Sequence, residues 1–384
     1  MDSNRKTSAQ TIVKGLLITS VIYFHALMFM ALPNTEAVLG QFNILLTLFP
    51  FLMMVFFFYA GYNYVPEKRT PWQNIKRRTF QLLIPLVASA VISTLLIIAI
   101  RIPTGESWEA IKNGIVYFLL SDPLAIMIGF PSNGILSFDI KLALGILWFL
   151  YALYIVSIFF YLIVDYAIKK PSRVFSIIFI LLVAGFCLGH FAGVYLPYTV
   201  QCYPVVLAMM LLAAYLKQFN FLERKIETKR DLVFTIINAL VAEAIVAGVG
   251  LLGYFRYGST MIGSLPGGMF DPYIKGFDAF VSFIVGFLGT FAIHQVSRAL
   301  NLVPGVSFAL DWYGRHSSYV YLLHPVCLTF IHYVMFREQK LFGDFQPYLY
   351  SFVTIGILVV LFILVDFIIS KIKQKKKAPE EAIS

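Results

Sequence analysis

The chain has 384 residues, of which 59% are hydrophobic and 13% charged, with a mean hydropathy of +0.81 and a formal net charge of +10. That apolar share exceeds what an ordinary soluble domain carries, and apolar runs of about 20 residues recur along the chain, the length needed to cross a bilayer as helix. The composition therefore excludes a soluble fold, and the expected class is an all-α polytopic membrane bundle.

Ten spans are predicted, at about 11–31, 42–64, 80–100, 143–165, 174–196, 199–216, 231–253, 276–297, 317–335 and 347–370. With the N-terminus inside, only Arg101, Lys112, Lys141, Arg256, Lys275, Arg337 and Lys340 fall outside. The other 23 of the 30 Lys and Arg face the cytoplasm, which predicts both termini inside. The net charge is thus an orientation signal, and no nucleic-acid partner is expected. Residues 1–371 read as one transmembrane domain and 372–384 as a basic cytoplasmic tail, whose KIKQKKK run suits anionic lipid or plain solvation. The N-terminus is read as a span rather than a signal peptide, because no clear small-x-small cleavage site follows. Cys187, Cys202 and Cys327 lie in apolar stretches without metal spacing and read as small buried hydrophobes, so no metal is expected.

The first span holds Lys14 and His25. Eleven helical steps bring them to one face, about 16 Å apart along the axis. Ionisable groups at membrane depth are costly and often functional; a neutral His bonded to a neighbouring helix is the other reading. Two outer loops follow from the topology: 101–142, broken by Pro123, Pro131 and Gly134 as in a re-entrant segment, and 254–275, which suits either a surface ligand or a solvated connection.

Before the third span, Lys76, Arg77 and Arg78 in KRRTFQLLIP either clamp a phosphorylated ligand or anchor the helix on the cytoplasmic side. In the ninth span Ser317, Tyr321 and His324, spaced i, i+4, i+7, line one helix face. They make either ordinary interhelical hydrogen bonds or one wall of a polar tunnel. Glu243, His190 and His294 are weaker candidates, for which a structural partnership is the better reading.

The succession of Lys14-x10-His25, FFFYAGY at 56–62, KRRTFQLLIP at 76–85, LWFLYALYIV at 147–156 and YGRHSSYVYLLHPV at 313–326 resembles the acyltransferase 3 family. The nearer resemblance is to its branch of fucose 4-O-acetylase-like and exopolysaccharide O-acyltransferase proteins. The resemblance implies a ten-span enzyme of the bacterial plasma membrane that moves an acetyl, succinyl or other short acyl group from acyl-CoA to a sugar hydroxyl. The acceptor would be a cell-envelope or exported polysaccharide or its lipid-linked precursor, and the partners membrane lipids and the glycan-synthesis machinery. No permanently bound cofactor is implied, acyl-CoA being a co-substrate.

By the same resemblance His25 is the general base or a transient acyl carrier. Lys14, Lys76, Arg77 and Arg78 would hold the donor, and Ser317, Tyr321 and His324 would line the passage or stabilise the oxyanion. Lys14 stands where the family pattern has Arg, keeping the charge and losing the bidentate fork. The family's RxxR pair is incomplete, since Phe80 follows Arg77 and Gln81 follows Arg78 at that spacing. The outer esterase-like domain often fused in the family is not seen, so transfer within the bundle is expected. A transporter or flippase of a lipid-linked sugar is the alternative, although no internal repeat with paired broken helices is evident.

Overall fold

The computed structural model describes residues 8–31, 51–66, 68–105, 107–109, 111, 148–191, 203–223, 226–257, 278–331, 352–361 and 363–364; for His25 and His190 it describes the backbone alone. Most of the two expected outer loops, Cys202 and the basic tail lie outside the described residues. What is described is helical, with no strand among it. Described helical residues overlap each of the ten expected windows. Among the described residues four helical segments, Phe149–Ala167, Pro171–Leu188, Lys229–Leu252 and Ala279–Leu300, are long and apolar enough to cross a membrane by themselves. The chain is a multi-pass membrane protein.

In chain order the helices are α1 (Ala9–Ala31), α2 (Leu52–Tyr62), α3 (Pro71–Arg78), α4 (Ile84–Arg101), α5 (Trp148–Ala167), α6 (Pro171–Phe191), α7 (Tyr203–Lys217), α8 (Lys229–Tyr257), α9 (Asp278–Leu300), α10 (Pro304–Arg315), α11 (Ser317–Ile331) and α12 (Phe352–Leu361). A π-helical turn, Thr79–Leu83, joins α3 to α4. Helix starts follow local chemistry. Ser8 Oγ accepts from the Thr11 amide at the head of α1. At α3, TPWQ forms a reciprocal capping box: Gln73 N donates to Thr70 Oγ1 and Thr70 N to Gln73 Oε1, with Pro71 in the first turn. Thr228 and Asp231 do the same for α8.

The helix α7 is buried on nearly every side, from Val205 to Ala214, and packs against α2, α5, α6 and α9. An all-round apolar helix is what a core position requires. The outward faces of α5, α6 and α8 present Phe159, Leu162, Phe179, Ile180, Leu240 and Leu252, a surface that only lipid tolerates at this extent.

Two close approaches hold the centre together. A Cβ on Gly61 would overlap the Met210 carbonyl of α7, and Cβ atoms on Gly15 and Gly314 would overlap the Leu310 and Thr11 carbonyls where α1 crosses α10. Small residues let membrane helices come into backbone contact. At the α1–α10 crossing the buried Asp311 accepts from Thr11 Oγ1 and pairs with Arg315. Gly61→Ala should therefore lower the thermal midpoint of the purified protein, by an overpacking cost of about 1–3 kcal/mol. Gly248→Ala, where nothing lies within 4 Å of an added Cβ, should leave it unchanged or raise it, since Ala is the better helix former. Equal midpoints for the two variants would show that the α2–α7 contact is not tight.

Candidate functional site

A cavity of about 440 Å³ opens at the end of the bundle where α1 begins and α2 ends. Its walls come from four separate stretches of the chain, 14–17, 56–82, 149–161 and 317–321. Lys14 and Leu17 stand on α1; Phe56, Tyr59, Ala60, Asn63, Tyr64 and Val65 come from α2 and the turn after it; Lys68 and Arg69 precede α3. Asn74, Arg77, Arg78, Gln81 and Leu82 follow one helix stripe, i, i+3, i+4, i+7, i+8, through α3 and the π turn. Phe149, Leu150, Leu153 and Tyr161 belong to α5, and Ser317, Ser318 and Tyr321 to α11. Among the described residues five cations line the cavity and no carboxylate does.

Each motif has a mechanical place around this cavity. In FFFYAGY, Phe57 and Phe58 are fully buried, and Gly61 allows the approach of α7. Tyr59 Oη donates to His294 Nδ1 at 2.7 Å, and His294 Nε2 donates to the Leu222 carbonyl at 2.9 Å. A carbonyl only accepts, so the proton sits on Nε2 and Nδ1 is the acceptor. Tyr62 Oη in turn accepts from the Leu222 amide at 3.2 Å. Both backbone groups of Leu222 are thus held by α2 and α9, which pins the α7–α8 connection beneath the cavity. Lys217 closes it by resting 4.8 Å over the Tyr62 ring and pairing with Glu223.

The helix α5 presents a polar stripe that sequence reasoning passed over. Tyr154, Tyr161 and Asp165, at i, i+7, i+11, lie within about 40° on one face. All three bond to the segment from 64 to 79. The Thr79 and Tyr154 hydroxyls are 3.1 Å apart, Arg78 Nε donates to Tyr161 Oη at 2.8 Å, and Tyr64 Oη donates to Asp165 Oδ1 at 2.6 Å. The signal was the spacing of two phenols and a carboxylate along an otherwise apolar span. Lys68 and Arg69 were also passed over as site residues, because their charge already served the orientation argument.

The structure brings Lys14, Arg77, Arg78, Ser317 and Tyr321 to one cavity. Lys76 is exposed and does not line it, for it stands off the stripe that Asn74, Arg77, Arg78 and Gln81 share. His324 is fully buried behind Tyr321, with Nδ1 donating to the Tyr321 carbonyl at 2.7 Å, and is not among the lining residues. Glu243 sits on α8, which packs chiefly on α9, away from the cavity; its Oε1 is buried without a hydrogen-bond partner among the described residues. The His190 side chain lies outside the described residues, and His294 is the structural partner of Tyr59. The His25 side chain also lies outside them. Its backbone is in the unbroken helix α1, on the same face as Lys14 and three turns farther along.

The acyltransferase domain model of the acyltransferase 3 family matches residues 11–368. No curated protein and no solved structure matches the chain significantly. The match runs from the first helix, through all five motifs that build or buttress the cavity, to beyond α12, so the chain belongs to the acyltransferase 3 family.

Proposed function

We propose that the protein is an O-acyltransferase that takes a short acyl group from acyl-CoA and places it on a hydroxyl of a cell-envelope or exported polysaccharide or its lipid-linked precursor. The observation that supports this best is the cavity, with Lys14, Lys68, Arg69, Arg77 and Arg78 around it and no acidic residue among the described residues that line it. Lys14 and Arg78 interact repulsively there, and like charges in a partly buried site are relieved by an anion. The phosphates of coenzyme A match that demand, and guanidinium groups match phosphate oxygens.

The cavity lies at the end of the bundle that the basic residues assign to the cytoplasm, where the donor is made. The pantetheine arm is long and thin enough to pass along α1 toward position 25. There the imidazole of His25 would take the proton of the acceptor hydroxyl as the oxygen attacks the thioester carbonyl. Collapse of the tetrahedral intermediate breaks the carbon–sulfur bond, and the imidazolium returns the proton to the leaving thiolate. Imidazole titrates in the range this exchange needs. Ser317 and Tyr321 line the donor side and offer hydroxyl donors. The natural partners are a glycan acceptor, membrane lipids and the glycan-synthesis machinery of a bacterial plasma membrane.

The test is thiol release from acetyl-CoA and succinyl-CoA by purified protein supplied with candidate glycans. Acceptor-dependent release with a labelled ester on the glycan is expected. Glycan movement across vesicles without any thiol release would replace this reading by a transporter or flippase.

A further inference from the structure

Among the cavity's cations, Arg78 is held in a specific way. Its Nε donates to Tyr161 Oη at 2.8 Å. A guanidinium has five N–H donors, one on Nε and four on the two terminal amino groups. With Nε engaged from the side, the terminal amino groups remain at the end of the fork, the edge that meets two phosphate oxygens at once. Tyr161 is itself immobilised. It is buried on α5, its ring packs against Phe160 at 5.5 Å and Tyr64 at 6.1 Å, and Tyr64 is tied to Asp165. Both Arg78 and Tyr161 line the cavity.

We infer that Tyr161 is a positioning residue for the donor's phosphate: its phenol oxygen fixes Arg78 through Nε, so that the paired terminal amino groups meet the anion already ordered. This rests on the acyl-CoA reading of the cavity. An arginine side chain surrenders much rotamer freedom when it is ordered, and a site that orders it beforehand binds more tightly. Gln81 stands where a second arginine would complete the family's pair, so this chain depends more on the one fork it has fixed.

The test is a double-mutant cycle on the full chain in detergent, read with coenzyme A and inorganic pyrophosphate as separate probes, together with steady-state kinetics. Tyr161→Phe should raise Kd for both probes, and KM for acyl-CoA, about tenfold, the size expected for a lost hydrogen bond to a charged group. The kcat should stay within about twofold. In an Arg78→Lys background, which has no Nε to hold, Tyr161→Phe should add less than about twofold. Tyr154→Phe removes a phenol from the same stripe without touching Arg78 and should leave both Kd values within about twofold.

If coenzyme A fails to bind the wild-type protein while pyrophosphate still shows the Arg78–Tyr161 coupling, the donor reading falls and the positioning role stands. Unchanged Kd in Tyr161→Phe, an equal loss in Tyr154→Phe, an equal loss in the Arg78→Lys background, or no binding of either probe to the wild-type protein overturns the inference.

Discussion

His25→Ala should reduce acyl transfer at least about 100-fold, the lower range for loss of a general acid–base group, while expression, thermal midpoint and coenzyme A affinity stay near wild type. The expectation follows from the length and continuity of α1. Lys14 lines the cavity, and the unbroken helix from Ala9 to Ala31 sets residue 25 about 16 Å along the axis on the same face. A donor anchored by its phosphates at one end of that face delivers its thioester toward the other. The loss should therefore appear in kcat and leave donor binding intact. Base and acyl carrier are then separated by rapid quenching with labelled acyl-CoA and no acceptor: a carrier retains label on the protein, whereas a base does not. Retention of more than a tenth of the wild-type turnover in His25→Ala would make the residue structural.

Lys14→Met should raise KM for acyl-CoA about 10- to 100-fold with a smaller change in kcat, matching the roughly 1.5–3 kcal/mol typical of a hydrogen bond to a charged group. Lys14 is partly buried at the mouth of the cavity, facing the Arg77–Arg78 side. Its removal subtracts attraction for the donor, so the loss should be greatest in the absence of salt. Lys14→Arg tests the departure from the family pattern. If the site needs only charge, Arg keeps most activity; if the pocket is shaped around an ammonium, the larger planar group raises KM. Because the contact is partly exposed, the wild-type advantage should shrink as ionic strength rises, whereas a buried contact would hold. Unchanged KM and kcat in Lys14→Met would leave Lys14 as a boundary charge only and remove the shared-face argument.

Much of the cavity was legible as isolated pieces. Lys14 was conspicuous because a cation inside an apolar helix has few inexpensive explanations, and the ninth-span hydroxyls stood in helical register. The KRR cluster was visible as charge, but charge alone does not say which of three successive residues points inward. The stripe of Asn74, Arg77, Arg78 and Gln81 decides it and leaves Lys76 off the cavity wall. His324 shared a spacing with Ser317 and Tyr321, and yet it is buried behind the wall they form. Two turns of helix drift around the axis, and only the neighbours fix where the cavity edge falls.

The sequence by itself determined the all-helical membrane class, because a bilayer admits no unsatisfied backbone and the apolar runs are the length of its core. It also determined the family, through five motifs in fixed order. Only the tertiary structure decided that the five motifs meet. Tyr59 binds His294 across 235 positions of chain, Tyr64 binds Asp165 across 101, and Thr11 binds Asp311 across 300. Such pairings arise when helices pack, and each needs the geometry of two elements at once. A tyrosine in an apolar span reads the same whether it faces lipid or holds an arginine, and the neighbouring helix alone makes the difference.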